Sequence, residues 1–388
     1  MKQNKICTII DLSSQYEALS PLTKQRTVGS LPFGGRYRLI DFPLSAISNA
    51  GIKEVGIFSP PSDRSLQDHI RSGKPWDLDS ITGGVFTYPF IEEDSKDKNK
   101  QWQYYQDLLT FLKKSGSTFT LLTSAHSVSN LNIAELLSYH IVNNNPITTV
   151  YKRQEVKYVS PNEEALNISE NSDVTAIMDV ETLMKGPHED VLPMFMNIAM
   201  LRTSLLIELI QNAAKQSEFK SLPSIMREAV EVYNANAYEY TGFYANINTV
   251  KRYFDTNMAM VHEEDSQALF FSSHPIYTRN KNEIPTFFSK ASEVKSSLLG
   301  TGGRIEGRVE NSIVFRRSVV NRYASVDHSI LMQESKVGRG TTLKYVILDK
   351  NVVIGANLKI EGTPEKPIVF PKGTSVFRKE DIAKGVQK

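Results

Sequence analysis

A short basic stretch near the start of the chain is the first candidate for chemistry. It holds four cations within fifteen residues: Lys24, Arg26, Arg36 and Arg38. Forked guanidinium groups match the geometry of phosphate oxygens, so the stretch predicts a site for a phosphate group. The alternative is that these cations are solvated surface charges or that they pair with carboxylates such as Glu17 and Asp41.

The loop that follows the first strand-like run is the second place to look. It spans residues 11–19, reads DLSSQYEAL and contains no glycine. Backbone amides wrap closely around a phosphate where glycines remove the Cβ and permit the required dihedral angles. The carboxylate of Glu17 would also repel a phosphate. From its residues, this loop is a poor phosphate site.

These residues must be positioned by a scaffold in which strands and helices alternate up to about residue 285. The predicted strands are residues 6–10, 54–58, 119–123, 147–151, 174–178 and 197–201. The predicted helices are residues 104–114, 133–143, 203–215 and 223–232. This alternation predicts an α/β, Rossmann-like domain, with a mostly parallel sheet and helices on both faces. The charged segment 92–101, which includes Asp94, has no apolar residue and is predicted to be a solvated loop.

A repeat replaces the alternating pattern in the last part of the chain. Shifting residues 299–360 by 17 positions places Ser312-Ile313-Val314 on Ser329-Ile330-Leu331 and then on Val346-Ile347-Leu348. The same shift aligns Val309 with Val326 and Leu343, and Val320 with Val337 and Ile354. A fixed period with regular aliphatic positions indicates a solenoid, here a parallel β-helix, whereas a β-meander would match only by chance. The predicted domains are residues 1–285 and 286–388.

Composition excludes several classes of function. The net charge of +2 gives no field that attracts nucleic acid or an anionic membrane. The single cysteine, Cys7, excludes an internal disulfide and fits a reducing compartment. The first ten residues have too short an apolar run for a signal peptide, and no stretch reaches membrane-spanning length. The expected location is the cytoplasm.

One run of residues resembles a known enzyme family. The run from Pro32 to Ser45, PFGGRYRLIDFPLS, is similar to that of ADP-glucose pyrophosphorylase (glucose-1-phosphate adenylyltransferase). Further matches are Trp76-Asp77-Leu78, Gly83-Gly84-Val85 and Pro275-Ile276-Tyr277-Thr278-Arg279. The resemblance implies a nucleotidyltransferase domain followed by a left-handed β-helix, and it covers nearly the whole chain. In the family, ATP and glucose 1-phosphate form ADP-glucose, with Mg²⁺ held by two aspartates.

The residues that carry this chemistry in the family are replaced here. The family's glycine-rich phosphate loop falls on Ser13 to Ala18, and its lysine falls on Val28-Gly29. Ala125, in the segment TSAH, stands where the first metal aspartate is expected, and Asn246 stands where the second is expected. The element that holds the sugar phosphate is unrecognisable around residues 177–180. Because a neutral amide oxygen binds Mg²⁺ far less well than a carboxylate, the chain is predicted to be catalytically silent and to bind no Mg²⁺ itself.

An inactive member of an enzyme family is expected to act together with an active member. Within the family the pattern resembles the non-catalytic D-type subunit of bacterial glycogen synthesis. That resemblance implies a heterotetramer in which this chain modulates a catalytic partner that uses Mg²⁺. It also implies that sugar-phosphate effectors bind near the basic stretch and the β-helix. Regulation requires only that the contacts of this chain differ between two states of the partner.

Other interpretations stay open. The chain is an active nucleotidyltransferase with rearranged ligands, such as Asp179 or Asp173, or it is a sugar-phosphate sensor that acts alone. His126 is either a structural histidine or a substitute metal ligand. An acyltransferase role for the β-helix would rest on His328, for which the sequence suggests no partner.

Overall fold

The α/β scaffold is built around a nine-stranded sheet. The computed structural model describes residues 5–13, 16–60, 63–80, 83–92, 95–186 and 189–386. Its strands before the solenoid are β1 (Ile6–Asp11), β2 (Pro32–Phe33), β3 (Tyr37–Arg38), β4 (Glu54–Ser59), β5 (Gly84–Pro89), β6 (Phe119–Ser124), β7 (Ser127–Val128), β8 (Ile147–Glu155), β9 (Glu164–Ile168), β10 (Val174–Asp179), β11 (Val191–Arg202), β12 (Asn236–Glu239) and β13 (Ala245–Asn246).

The helices lie between these strands, as the alternating pattern predicts. They are α1 (Asp41–Asn49), α2 (Arg64–Ile70), α3 (Lys98–Ser115), α4 (Ile133–Asn143), α5 (Val180–Leu183), α6 (Thr203–Ala213), α7 (Leu222–Val232), α8 (Val250–Ala259), α9 (Glu263–Phe270) and α10 (Lys379–Val386). Short 3₁₀ helices occupy Glu17–Leu19, Val28–Ser30, Lys74–Trp76 and Val156–Tyr158. No helix in the described ranges is both long and apolar enough to cross a bilayer.

The strands of this sheet do not all run in the same direction. The order is β10-β9-β11-β6-β1-β4-β5, with β8 beside β11 and β12 beside β8. Strands β6, β1, β4 and β5 are parallel, whereas β11 runs antiparallel to β6, β8 and β9. The predicted α/β class is confirmed. Apolar runs in the sequence do not reveal which strands are antiparallel, because a strand buries the same side chains in either direction.

Helices cover both faces of this sheet. Ile147 lies in the apolar cluster formed with α3, α6 and α7, whereas the hydroxyl of the next residue, Thr148, contacts His140 of α4 at 2.8 Å. Successive strand residues point to opposite faces, so these two contacts identify the two helical layers. Leu121 of β6 likewise faces α1 and α4, and Leu122 faces the α3 layer.

The segment predicted as a solvated loop is partly helical. Helix α3 begins at Lys98, six positions before the predicted start at residue 104. The Asp97 carboxylate accepts hydrogen bonds from the backbone amides of Asn99 at 3.1 Å and Lys100 at 3.2 Å, which caps the helix. Gln101 is buried and donates to the carbonyl of Ser95. The loop prediction was therefore wrong for residues 98–101, while Asp94 lies outside the described residues.

Chain contacts divide the molecule into two compact units. The first comprises residues 1–14, 42–244 and 273–277, and the second comprises residues 15–41, 245–272 and 278–388. The sequence-based division at residue 285 stays a prediction about domains. The second unit contains the whole solenoid together with two earlier segments of the chain.

Three parallel sheets form the solenoid, as expected for a left-handed parallel β-helix. The first consists of β14 (Phe287–Phe288), β17 (Arg304–Ile305), β20 (Val319–Val320), β23 (Lys336–Val337), β26 (Val353–Ile354) and β29 (Ser375–Val376). The second consists of β15 (Glu293–Lys295), β18 (Arg308–Glu310), β21 (Ser325–Asp327), β24 (Thr342–Lys344) and β27 (Lys359–Glu361). The third consists of β16 (Leu298–Leu299), β19 (Ile313–Val314), β22 (Ile330–Leu331), β25 (Val346–Leu348) and β28 (Ile368–Phe370).

The predicted register of the repeat is confirmed. Ile313, Ile330 and Ile347 are paired in successive coils, as are Val309, Val326 and Leu343. Buried serines also stack. The Ser312 hydroxyl accepts from the Ser329 amide at 3.0 Å, and the Ser329 hydroxyl accepts from the Val346 amide at 3.1 Å. Flanking coils lie outside the 17-residue period, with Leu298 paired to Ile313 and Ile347 paired to Val369.

Candidate functional site

The end of β6 is where the family resemblance places the first metal aspartate. Ala125 stands there, 1% exposed, and its side chain has no atom that can bind a cation. The flanking Ser124 is also buried, and its hydroxyl has no hydrogen-bond partner among the described residues. This strand end therefore offers a small polar group in place of a charged metal ligand.

His126 is held as a neutral structural residue. It is 3% exposed, and its Nε2 lies 3.3 Å from the side-chain amide nitrogen of Asn197 on β11. Burial lowers the pKa of His126 to about 4, so the imidazole is uncharged near neutral pH. These contacts favour the structural interpretation over a substitute metal ligand. Within the described ranges, no three His, Cys, Asp or Glu side chains are grouped so that they could hold a metal ion.

A cavity of about 150 Å³ opens beside this strand end in the first unit. Its walls are mostly apolar, and the charged side chains that line it are Asp11, Glu164 and Arg227. The Arg227 guanidinium is ion-paired with Glu164 and lies 3.7 Å from the Asp179 carboxylate. Because the arginine is already neutralised and the carboxylates repel phosphate, the cavity is poorly suited to a phosphorylated sugar or a nucleotide.

The second metal position falls in the second unit. Asn246 lies in β13, 5% exposed, and its Oδ1 has no hydrogen-bond partner among the described residues. Three residues later, Thr249 caps α8 by accepting from the Arg252 amide at 3.0 Å. Ala125 gives Mg²⁺ no ligand, and Asn246 gives a single neutral oxygen. The residues present at these two positions therefore do not fit a Mg²⁺ site.

The phosphate-loop positions do not form a cradle in the described residues. Ser14 and Gln15 lie outside the described residues, but the Ser13 amide donates to the Asp11 carboxylate at 2.7 Å, so this amide is already used. Ala18 is exposed within a single 3₁₀ turn, and the Val28-Gly29 pair is buried in another.

The proposed substitute carboxylates lie in structural positions. Asp179 ends β10, is ion-paired with Arg227 and has a side chain that is 62% exposed. Asp173 forms an isolated β-bridge with Asn236. Neither residue lines the cavity beside Ala125.

The four cations of the basic stretch have different surroundings in the second unit. Arg26 is buried, with its Nε donating to the Leu22 carbonyl at 2.9 Å and its Nη2 ion-paired with Asp349 of the solenoid. The Asp349 side chain is 3% exposed. The alternative of carboxylate pairing thus holds for Arg26, although its partner is Asp349 and neither Glu17 nor Asp41.

The other cations of the stretch stay nearer the surface. Arg36 is exposed, donates to the side-chain oxygen of Asn280 at 3.1 Å and lies over the ring of Tyr37. Lys24 is exposed, and the Arg38 side chain is half-buried. The Arg38 amide donates to the Asp41 carboxylate at 2.9 Å.

A lysine that the sequence did not single out lies close to this stretch. Burial, together with the neighbouring positive charges of Arg38, Arg26 and Lys372, lowers the pKa of Lys350 to about 7. Asp349 opposes this effect and binds the Lys350 amide at 2.6 Å. The charges of Arg38, Arg26, Lys372 and Asp349 therefore all act on the Lys350 ammonium group.

His328 does have a partner in the solenoid. Its Nδ1 lies 2.7 Å from the Asp327 carboxylate, and Lys344 lies 3.3 Å from the other oxygen of the same carboxylate. No such partner was expected from the sequence because adjacent residues in a strand usually point apart. At His328 the backbone has a positive φ of 41°, which turns this corner of the coil. The pair lies on the outer surface, and it does not line the cavity described in the first unit.

Comparison with known proteins agrees with both parts of the fold. A nucleotidyl transferase family model matches residues 17–162, and a GlmU-like C-terminal hexapeptide model matches residues 286–367. The chain is 32% identical over 375 residues to the glycogen biosynthesis protein GlgD of Bacillus subtilis, covering 96% of this chain and 97% of that protein. It is 31% identical to GlgD of Geobacillus stearothermophilus over the same shares of the two chains.

An enzyme is among the relatives. The glucose-1-phosphate adenylyltransferase of Bacillus cereus is 28% identical over 385 residues, covering 96% of this chain and all of that protein. The similarity extends through both the nucleotidyltransferase and the solenoid regions, as the motif from Pro32 to Ser45 suggested. The chain therefore belongs to the ADP-glucose pyrophosphorylase family, which includes glucose-1-phosphate adenylyltransferase and the glycogen biosynthesis protein GlgD.

Proposed function

We propose that this chain is a regulatory, catalytically impaired subunit of a glucose-1-phosphate adenylyltransferase complex in glycogen synthesis. The observation that carries the proposal is the chemistry at Ala125 and Asn246, where the family resemblance expects two metal carboxylates. Phosphoryl chemistry depends on a metal and basic groups that stabilise the charge of the transition state. Losing one such element costs roughly a thousandfold in rate, and here several are replaced together.

The cavity beside Ala125 supports the same proposal. Among the described residues that line it, the arginine is Arg227, which is neutralised by Glu164 and approached by Asp179, so these residues leave no spare positive charge to bind a phosphorylated substrate. The chain keeps the complete fold without these catalytic groups, as expected for a subunit that acts through its binding surfaces. The relatives named for glycogen biosynthesis indicate the process in which such a subunit acts.

The test is ADP-glucose formation by the purified chain alone and after co-expression with the catalytic subunit from the same genome. We expect no Mg²⁺-dependent turnover by the isolated chain, and a co-purifying complex whose rate or substrate affinity differs from that of the catalytic subunit alone. Robust turnover by the isolated chain that a chelator abolishes would refute the proposal. A stable monomer that binds a sugar phosphate and ignores the catalytic subunit would support a separate sensor instead.

We also propose that the second unit holds an anionic effector on Arg38 and Lys350, with Lys372 nearby. Arg26 then acts as a positioning residue, because its charge is already paired with Asp349. Lys24 and Arg36, at the surface, would extend the site toward a larger sugar phosphate. A bound anion would stabilise the charged form of Lys350, which the neighbouring cations otherwise disfavour.

Sulfate is a suitable probe for this site because its charge does not change near neutral pH. We expect sulfate binding, followed by calorimetry, to weaken as the pH rises from 7 to 9, since free Lys350 loses its proton with a pKa of about 7. Lys350→Met should remove both the binding and this pH dependence. The exposed Lys359→Met is the matched control and should behave as the parent chain does. Unchanged sulfate binding in Lys350→Met would exclude this site.

A further inference from the structure

The cavity beside Ala125 has an apolar interior that the regulatory function proposed above does not use. Its volume is about 150 Å³, and it lies between the sheet and helix α7 in the first unit. Buried apolar side chains form most of its wall, and all of them belong to one core cluster: Ile9, Leu122, Ala199, Leu222, Met226 and Val230. An apolar cavity of this size can hold one benzene ring.

One buried hydroxyl group in this wall has no partner among the described residues. Ser124 is 8% exposed, and its Oγ makes no hydrogen bond there. Side chains alternate along β6, so Ser124 points to the same face of the sheet as Leu122, which is the face of the cavity. Because a buried hydroxyl without a hydrogen bond is unfavourable, a ligand that offers it a polar group removes this cost.

A carboxylate lies beside this hydroxyl. Asp11 of β1 is in register with Ser124 of β6 and lines the same cavity. The Asp11 carboxylate accepts from the Ser13 amide at 2.7 Å, and a carboxylate can accept several hydrogen bonds. A hydroxyl group of a ligand can therefore donate to Asp11 and accept from Ser124 at the same time.

A β-bulge in β11 shapes another part of the wall. The register between β11 and β8 shifts between Phe195 and Ala199, and Asn197 has a positive φ of 55°. The side-chain nitrogen of Asn197 lies 3.3 Å from Nε2 of His126. Bulges redirect side chains next to binding sites, and here the half-buried Phe195 lines the cavity with an aromatic ring. An aromatic ligand can pack against this ring.

The charges around the cavity oppose an anionic ligand. Of the charged residues that line it, Asp11 and Glu164 are negative, and Arg227 is ion-paired with Glu164. A carboxylate or phosphate group on a ligand would therefore be repelled. A cationic group would have to leave water for a mostly apolar wall, which costs more than the transfer of a hydroxyl group.

We propose that this cavity binds a small uncharged molecule that has one aromatic ring and one hydroxyl group, as a phenol does. The ring packs between Met226 of α7 and Phe195 of β11, and the hydroxyl group hydrogen-bonds to Ser124 and Asp11. This ligand class differs from the phosphorylated sugars and nucleotides of the family reaction. The cavity would thus be a binding site that serves neither catalysis nor the binding of a phosphorylated effector.

Phenol and toluene test the proposal because they share the ring and differ in the hydroxyl group. Calorimetric titration of the full chain should show one saturable site that binds phenol about tenfold more tightly than toluene. Ser124→Ala should weaken phenol binding by about tenfold and leave toluene binding unchanged. Ser127→Ala is the matched control, because Ser127 is a buried serine that does not line this cavity, and both affinities should stay as in the parent.

Filling the cavity gives a second test. Ala199→Leu places a larger side chain in the wall and should abolish binding of both probes, provided that a thermal melt shows a folded variant. If this variant does not fold, the comparison of Ser124→Ala with Ser127→Ala decides. No phenol binding by the parent, equal losses in the two serine variants, or benzoate or benzylamine binding as tightly as phenol would each overturn the proposal. The measurement does not involve ADP-glucose formation or a catalytic partner, so its failure would leave the proposed regulatory function intact.

Discussion

At the scale of single residues, Arg26 shows how burial changes the meaning of a charge. In the sequence it belongs to a group of cations suited to phosphate, but in the structure it forms an ion pair with Asp349 in which both side chains are at most 4% exposed. Removing one member of such a pair leaves the other charge desolvated without compensation, which costs more than the pair itself contributes. The role of Arg26 can therefore be tested by measuring the free energy of unfolding.

We expect Arg26→Met to lower the free energy of unfolding by about 3–5 kcal/mol, because the Asp349 carboxylate stays buried without its cation. Urea unfolding followed by circular dichroism measures the loss. The double variant Arg26→Met/Asp349→Leu should recover most of it. Lys359→Met, which breaks an exposed pair with Glu361, should change the stability by no more than about 0.5 kcal/mol. Equal losses in the buried and exposed variants would contradict this account.

His126 gives a stability effect that depends on pH. Its pKa is lowered to about 4 in the folded chain, below the usual value of 6.5. The contribution of the neutral His126 to stability is therefore fully present above pH 6.5 and is lost as the pH falls toward 4. In that interval the unfolded chain binds a proton that the folded chain does not, which gives a slope of about 1.4 kcal/mol per pH unit. His126→Gln should reduce the slope between pH 6.5 and 5 by about this amount in chemical unfolding.

The exposed His262 provides the comparison for this measurement. His262→Gln should keep the pH dependence of the parent chain. The buried His140, whose pKa is also lowered to about 4 by burial and by the charge of Arg202, should contribute a similar slope that persists in His126→Gln. If the slope were the same in His126→Gln and in the parent, His126 would have to be protonated or accessible in the folded state.

At the scale of elements, the repeat was predictable and the strand directions were not. Each solenoid coil buries its own set of aliphatic residues, so Val309, Val326 and Leu343 reveal their pairing as a period in the chain. The final coil breaks that period because residues between β27 and β28 lengthen it, and the coil formed by β17, β18 and β19 is shorter than the others, since Arg304 pairs with Val319. Strand β11 reads as a buried strand in either direction, so its antiparallel pairing carries no local signal.

The candidate sites also differ in how far apart in the chain their contacting residues lie. Ala125 and Asn246 were assigned from motifs, because family motifs are contiguous in the chain. The contact of Arg26 with Asp349 joins residues 323 positions apart, and neither residue has a sequence pattern that names the other. Lys350 was missed for this reason. The N-cap at Asp97 was local but was hidden by a charged run that resembled a loop.

The serine ladder of the solenoid gives a prediction at this scale. The Ser329 hydroxyl donates to the Asp327 carbonyl at 2.8 Å and accepts from the Val346 amide at 3.1 Å, at a site that is 0% exposed. Ser329→Ala leaves that amide buried without its acceptor, so we expect a loss of about 1–3 kcal/mol in the free energy of unfolding. Thr363→Ala removes an exposed hydroxyl that also accepts an amide, from Lys366 at 3.1 Å, and should cost less than about 1 kcal/mol.

At the scale of the whole molecule, the chain keeps the family fold, and the positions that the family resemblance assigns to the two metal aspartates fall in different units. Ala125 lies in the first unit and Asn246 in the second, and the glycine-free loop runs from the first unit into the second. Substitutions distributed in this way are hard to reverse one at a time. A transition state that needs a metal, a phosphate cradle and a basic clamp gains little when a single one of these is supplied.

Restoring the two carboxylates therefore should not restore the enzyme. We expect the Ala125→Asp/Asn246→Asp double variant, assayed alone for ADP-glucose formation with Mg²⁺, to show no more product than the parent chain. The reason is that the loop of residues 11–19 still has no glycine, and Arg227 is still neutralised by Glu164. A thermal melt of the variant must first show a folded protein, since Ala125→Asp buries a charge. Turnover within about a hundredfold of a catalytic relative would mean that the metal site alone separates this chain from an active enzyme.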